Sequence, residues 1–232
     1  MQVEKQHTVQ ADLLLLLVAL IWGFGFVAQR AGMDHIGPYT YNGIRFLLGS
    51  LCLLPLVLRR SATPAVERSR QIPLARAGLL AGIVLFLAAT LQQVGLQYTT
   101  AAKAGFITGL YVVLVPIIGM AFRQRTNTGT WVGAAAASAG LYLLSVNEAL
   151  RIEPGDLLEL IGALFWAVHV LLLSWLSPRT SPVRLALVQF LVCGVLSLVT
   201  GLVLEPFSLE AMKKKAQAAS RKPAHDDTLY EL

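Results

Sequence analysis

The chain has 232 residues, 56% of them apolar and only 14% charged, with a mean hydropathy of +0.64. Soluble domains carry roughly 25% charge, so the composition argues against a water-soluble enzyme and for an all-α, polytopic membrane bundle. The net charge of +6 does not point to nucleic acid, because Lys and Arg fall in the breaks between apolar runs, where they set topology.

Residues 1–10 form a short polar start carrying Glu4 and Lys5. The apolar runs that follow are about 20 residues long, which is what an α-helix needs to cross the hydrocarbon. The first span is expected over Asp12–Ala31 and the second over Tyr39–Leu58, with a turn at Gly32–Pro38 between them. A cleaved signal peptide at Leu13–Ala28 is disfavoured, since the run continues through aromatics and has an echo in mid-chain. A basic loop, Arg59–Arg76, carries Arg59, Arg60, Arg68, Arg70 and Arg76 against Glu67. Third and fourth spans are expected over Ala77–Gln97 and Ala104–Phe122, the fourth kinked by Pro116. The fifth covers Gly129–Val146, the sixth Asp156–Leu176 and the seventh Val183–Leu204. Residues 205–232 are polar and basic, with Lys213–Lys215, and hold no span.

Counting Lys and Arg places the N-terminus in the cytoplasm. Lys5, the five loop arginines, Arg123, Arg125, Arg179 and Arg184 are then inside, and only Arg30, Lys103 and Arg151 outside. The basic tail would lie outside after seven crossings, against that pattern.

An internal repeat organises the chain. At an offset of 144 residues Asp12 matches Asp156, Leu13 Leu157, Leu14 Leu158, Leu16 Leu160, Ala19 Ala163, Leu20 Leu164 and Trp22 Trp166. The register continues through Pro38 and Pro182, Phe46 and Phe190, and Leu47 and Leu191. Five helices separate the copies, so they start on opposite sides and the repeat is inverted, a pattern that points to transporters. The division expected is a first five-helix unit over 11–147 and the first two helices of a second over 148–204. A complete second unit would run past residue 232.

The segments Ile21–Gly23 (IWG), Tyr41–Phe46 (YNGIRF), Gly105–Pro116 (GFITGLYVVLVP), Trp131–Leu144 (WVGAAAASAGLYLL) and Asp156–Leu172 (DLLELIGALFWAVHVLL) resemble, in this order and spacing, EamA-type members of the drug/metabolite transporter superfamily. The resemblance covers about Ala11–Leu204. It implies ten-helix bacterial inner-membrane carriers made of two inverted five-helix halves, exporting small metabolites or drugs by alternating access. Two features depart from the family: helices 8 to 10 are absent, and Arg123–Arg125 (RQR) stands where many members carry Gly-Glu. The competing reading is a truncated, non-transporting chain, an assembly partner or remnant of such a carrier. The partners expected are the lipid bilayer, a small-molecule substrate and, as one way of completing a cavity, a second copy in a homodimer.

Polar side chains inside hydrocarbon each need a reason. Arg45, with Tyr41 one turn earlier on the same face, reads as a cationic site for an anionic group or as a snorkelling side chain. Gln93 and Gln97, with Gln92 beside them, suit polar cargo or glue helices together. His169 reads as a proton relay or as a packed, hydrogen-bonded histidine, and Gln189 holds in the second copy the place of Arg45 in the first. Trp22, Trp166 and Tyr111 offer ring faces to a pocket or to lipid. Three small-residue ridges, Ala101/Gly105/Gly109, Gly78/Gly82 and Gly133/Ala137, read as helix contacts. No nucleophile with its base, phosphate loop or Cys/His cluster occurs, so neither an enzyme, a cofactor nor a metal is expected; Cys52 and Cys193 fall inside apolar runs and read as small hydrophobes without a disulfide.

Overall fold

The computed structural model describes residues 2–59, 72–122, 126–145 and 153–205, and side chains from residue 13 onward, leaving out those at 141 and 143–145. The centre of the basic loop, the Arg123–Arg125 segment, Arg151 and the tail beyond Glu205 lie outside these residues, as do the side chains of the polar start.

Among the described residues all regular structure is helical: α1 (Gln2–Gly32), α2 (Pro38–Arg59), α3 (Leu74–Gly95), α4 (Ala101–Gly109), α5 (Tyr111–Ala121), α6 (Thr128–Ser145), α7 (Pro154–Leu176) and α8 (Pro182–Leu204), with a short 3-10 turn at Ser177–Arg179. α1 runs on through the polar start, which holds no Gly or Pro to stop it. Six stretches are long and apolar enough to cross a membrane: α1, α2, α3, α4 with α5, α7 and α8. The chain is a multi-pass membrane protein. α6, 18 residues rich in Ala and Gly, falls outside that set. It packs against α4 and α5.

The ends of the helices are set by local chemistry. Pro opens α2, α7 and α8, where its missing N–H costs nothing. Thr100 caps α4 by accepting from the Lys103 amide at 3.2 Å, and Asn127 caps α6 by accepting from Thr130 N at 2.8 Å. The carboxylate of Glu205, just past α8, accepts from the amides of Tyr39 at 2.7 Å and Thr40 at 3.1 Å, so it caps α2 from across the bundle. The fourth span is broken at Leu110, ahead of Pro116. Pro116 denies the Val112 carbonyl its donor, and the preceding turn tightens: Leu110 N donates to Ile107 O at 3.1 Å and Val113 N to Leu110 O at 2.9 Å, both three residues back.

α3 is the hub. Buried residues make up 39% of its span, against 6% for α1, which lies at the edge. α3 packs on both α7 and α8, and α8 in turn lies against α2. The central cluster joins Phe46, Leu85, Ala89 and Cys193, with Phe86, Trp166 and Phe190 around it. A second cluster, Ala77, Ala81, Leu176 and Leu185, closes the end that carries Arg179, and a third, Met33, Leu96 and Ala104, the end that carries Arg30. Cys193 is buried and Cys52 exposed; both are free thiols. Of the three small-residue ridges, Gly78 and Gly82 admit Val188 and Val192 of α8, and Gly105 faces Phe26. Gly133 meets no described atom within 4 Å, so that ridge makes no such contact here.

A Cβ added at Gly82 would lie 2.6 Å from Val192 Cβ and 3.0 Å from the Gln189 carbonyl oxygen, a backbone atom that cannot swing away. Gly82→Val is therefore expected to destabilise the bundle by about 1–3 kcal/mol, the usual cost of overpacking. Gly133→Ala serves as the control and should leave thermal unfolding in mild detergent unchanged. Equal melting of the two variants would show that α3 and α8 do not need this contact.

Candidate functional site

Four helices contribute to one line of polar contacts through the middle of the bundle. On α1, the Gln29 amide nitrogen donates to the Gly25 carbonyl at 3.1 Å, which leaves its oxygen free to accept from Gln92 of α3 at 3.4 Å. The Gln92 oxygen takes the indole N–H of Trp166, on α7, at 2.8 Å. Three residues on, His169 stands edge-on to the Trp166 ring, with centroids 5.9 Å apart. As the Nε2–H tautomer it donates to Gln189 Oε1 of α8 at 2.9 Å. Gln29, Gln92, His169 and Gln189 are all buried. Trp22 adds a second ring, 6.2 Å from Trp166 and tilted by 52°, with nearly half its own surface exposed.

A second group lies on α2. Arg45 is half-buried and donates to Asn42 Oδ1 at 2.9 Å, while Asn42 Nδ2 donates to the Ala89 carbonyl of α3 at 3.0 Å. The guanidinium lies 4.8 Å from the Phe46 ring centroid and 5.9 Å from that of Tyr41. Phe46 meets Phe190 edge to face at 5.5 Å, beside Gln189 in sequence.

Of the residues singled out from sequence, the structure thus brings together Trp22, Trp166, His169 and Gln189, and separately Tyr41 and Arg45. Gln93 is fully buried and neither end of its amide has a hydrogen-bond partner. Tyr111 is half-buried at the start of α5 and, among the described residues, joins none of these contacts.

Three residues escaped the sequence reading. Gln29 and Asn42 are polar residues within apolar runs, and that was their signal. Glu159 is the third: a carboxyl with 0% exposure on α7, held by the Thr108 hydroxyl at 2.9 Å. It stands in the repeat opposite Leu15, so the acid is where the copies depart from each other. A further polar cluster closes this end of the bundle. Lys103 lies 3.7 Å from Asp156, which also accepts from Thr99 at 2.5 Å, and Arg30 donates to the carbonyls of Leu96 and Thr99.

Residues 9–146 match the EamA-like transporter family. The chain belongs to that family. It is 36% identical over 195 residues to an uncharacterized transporter of Archaeoglobus fulgidus, covering 84% of this chain and 58% of that protein. It is 28% identical over 197 residues to the uncharacterized inner membrane transporter YedA of Escherichia coli, covering 82% of this chain and 61% of that one. A third relative is the S-adenosylmethionine/S-adenosylhomocysteine transporter of Chlamydia muridarum, 28% identical over 131 residues, or 56% of this chain and 40% of that protein. The chain therefore spans about three fifths of the length of the first two. No solved structure matches it.

In this EamA-like bundle the Gln92–Trp166 bond ties α3 to α7 at the point where the rings of α1 and α7 meet. A double-mutant cycle of Gln92→Leu against Trp166→Phe should return a coupling of about 0.6–1.7 kcal/mol, the span from mean to maximum for interhelical hydrogen bonds measured in a membrane protein. Reversible unfolding in mixed micelles reads it. A coupling of zero would mean that the bond does not hold the helices.

Proposed function

We propose that the chain works as part of a secondary carrier for small molecules, in which the line from Gln29 to Gln189, with Trp22 and Trp166, forms one wall of the substrate path. The observation that carries this reading is the crossing of four helices by a connected run of uncharged donors and acceptors within the membrane-spanning helices. Amides, an indole N–H and an imidazole hold polar groups without the cost of a charge. The two tryptophan faces suit a flat ring in the cargo. The chlamydial relative's name supports trying S-adenosylmethionine first. Arg45 would meet an anionic group from the α2 side. Outward movement of cargo by alternating access, a bacterial inner membrane and a cytoplasmic N-terminus complete the proposal, the last resting on the Lys and Arg distribution. A second copy of the chain would be one way to close the side of the path that α1 leaves open.

Counterflow in proteoliposomes tests the reading, with labelled S-adenosylmethionine and a panel of amino acids and nucleosides. Uptake of at least one is expected. Gln189→Leu and Arg45→Ala should each lower it by about tenfold, equivalent to about 1.4 kcal/mol, with membrane expression retained. Normal expression with no counterflow across the panel would favour an assembly role instead.

Orientation is tested separately. A single Cys at Ser61, in a background with Cys52 and Cys193 replaced, should resist an impermeant thiol reagent in intact cells. Ready labelling would reverse the topology.

A further inference from the structure

Glu159 lies outside the proposed substrate wall. It sits one turn along α7 from Asp156, and α3 and α4 close over it. Thr108 of α4 donates to Oε2 at 2.9 Å, while Oε1 is buried and has no hydrogen-bond partner among the described residues. The end of α3 comes so close that a Cβ on Gly95 would stand 3.1 Å from both Cγ and Oε1 of the acid.

The charged groups facing this corner have their own engagements. On α7 itself, Asp156 is matched by Lys103 of α4 and by the Thr99 hydroxyl. Arg30 of α1 is turned to the carbonyls of Leu96 and Thr99. From α5 the titratable group is Tyr111, and α3 carries no charged residue in this half, Arg76 being at its other end. Asp156 thus has the partners that a buried carboxylate needs, and Glu159 has a single hydroxyl.

On insertion scales a charged acid costs about 2.5–3.5 kcal/mol at the centre of a membrane helix and less toward its ends. Glu159 lies near the start of α7 but is fully buried, so its charge still has to be compensated. Such a charge persists only while water or a cation reaches it, so the protonation of an acid with one open oxygen follows its exposure. We propose that Glu159 is a proton-exchange site: when this corner opens, its carboxylate takes a proton from hydronium, giving the neutral acid and water, and the reverse step releases the proton. Oε1 is the oxygen that receives it, and Thr108 keeps Oε2 in place. The assignment rests on the transporter reading, since only a bundle that opens and closes gives the acid two surroundings.

The test reads the proton itself. The full chain in lipid nanodiscs, labelled with ¹³C-glutamate, is followed by infrared difference spectroscopy from mildly acidic to mildly alkaline pH. A carboxyl C=O band that falls as pH rises is expected, and it should be lost in Glu159→Gln. Asp156→Asn should keep it. Should the Gln variant not fold, Glu159→Asp moves the acid out of the ¹³C-glutamate signal, and the labelled band must then vanish. A band that does not titrate, or one that survives both substitutions, overturns the proposal. Failure of counterflow with the titrating band intact would instead strike the proposed transport and leave proton exchange at Glu159 standing.

Discussion

The bundle depends on α3 coming close enough to touch α7 and α8 together. Lipid tails are as apolar as leucine, so hydrophobic burial does not pull transmembrane helices together; packing of small residues and hydrogen bonds must do it. Gly78 and Gly82 let Val188 and Val192 approach one side of α3, and Ala88 and Ala89 are buried beside them. On the α7 side it is Gly162 that lies against α3, where an added Cβ would stand 3.5 Å from Gln92 N and 3.6 Å from the Ala88 carbonyl, and beside it Gln92 reaches the indole of Trp166 at 2.8 Å. The same closeness lets Asn42 reach across from α2 to the Ala89 carbonyl. Polar order inside the membrane thus follows from where bulk is missing.

The repeat gives this arrangement its symmetry. Trp22 meets Trp166, and Phe46 meets Phe190; each is a residue against its own counterpart 144 positions on. Two copies related by a two-fold axis bring equal residues together only near that axis, so these aromatic pairs mark where such an axis would pass. Other positions differ between the copies. Arg45 answers Gln189, and Leu15 answers Glu159. Three of the five residues of the polar line, Trp166, His169 and Gln189, come from α7 and α8.

Much of this was open to reading from the chain. Apolar run lengths give the spans within a few residues, because a membrane fixes helix length. Trp22 and Trp166 stood out as the costly identities in an otherwise leucine-rich repeat. The neighbouring amides were less legible. Gln92 and Gln93 are 100° apart on one helix, and nothing in sequence says which turns to an aromatic partner. It is Gln92 that does so, while Gln93 is buried without a hydrogen-bond partner. Glu159 was visible as an acid in an apolar run, yet its nearness to Asp156 makes it look like part of a helix entrance. Its burial depends on α3 and α4 folding over it, which is a tertiary fact. The break at Leu110 likewise shows a proline acting on the turn before it, where sequence marks only the proline.

The two ends of the bundle are closed by different physics. At the Arg179 end, among the described residues, Ala77, Ala81, Leu176 and Leu185 pack together, and a backbone bond runs from Ile72 N to Arg179 O. At the Arg30 end the closures are largely side-chain bonds: Arg30 to α3 carbonyls, Lys103 to Asp156, Thr99 to Asp156, and Glu205 to the start of α2. Such bonds are worth roughly 0.5–3 kcal/mol each when formed, because water offers nearly equal partners to the separated groups. Methyl contacts have no such substitute. Water reaching the Arg30 end can therefore replace its side-chain bonds one at a time, leaving the small cluster of Met33, Leu96 and Ala104 to part, whereas among the described residues the Arg179 end is held mainly by an apolar layer. Glu159 lies one turn beneath the end that water can loosen.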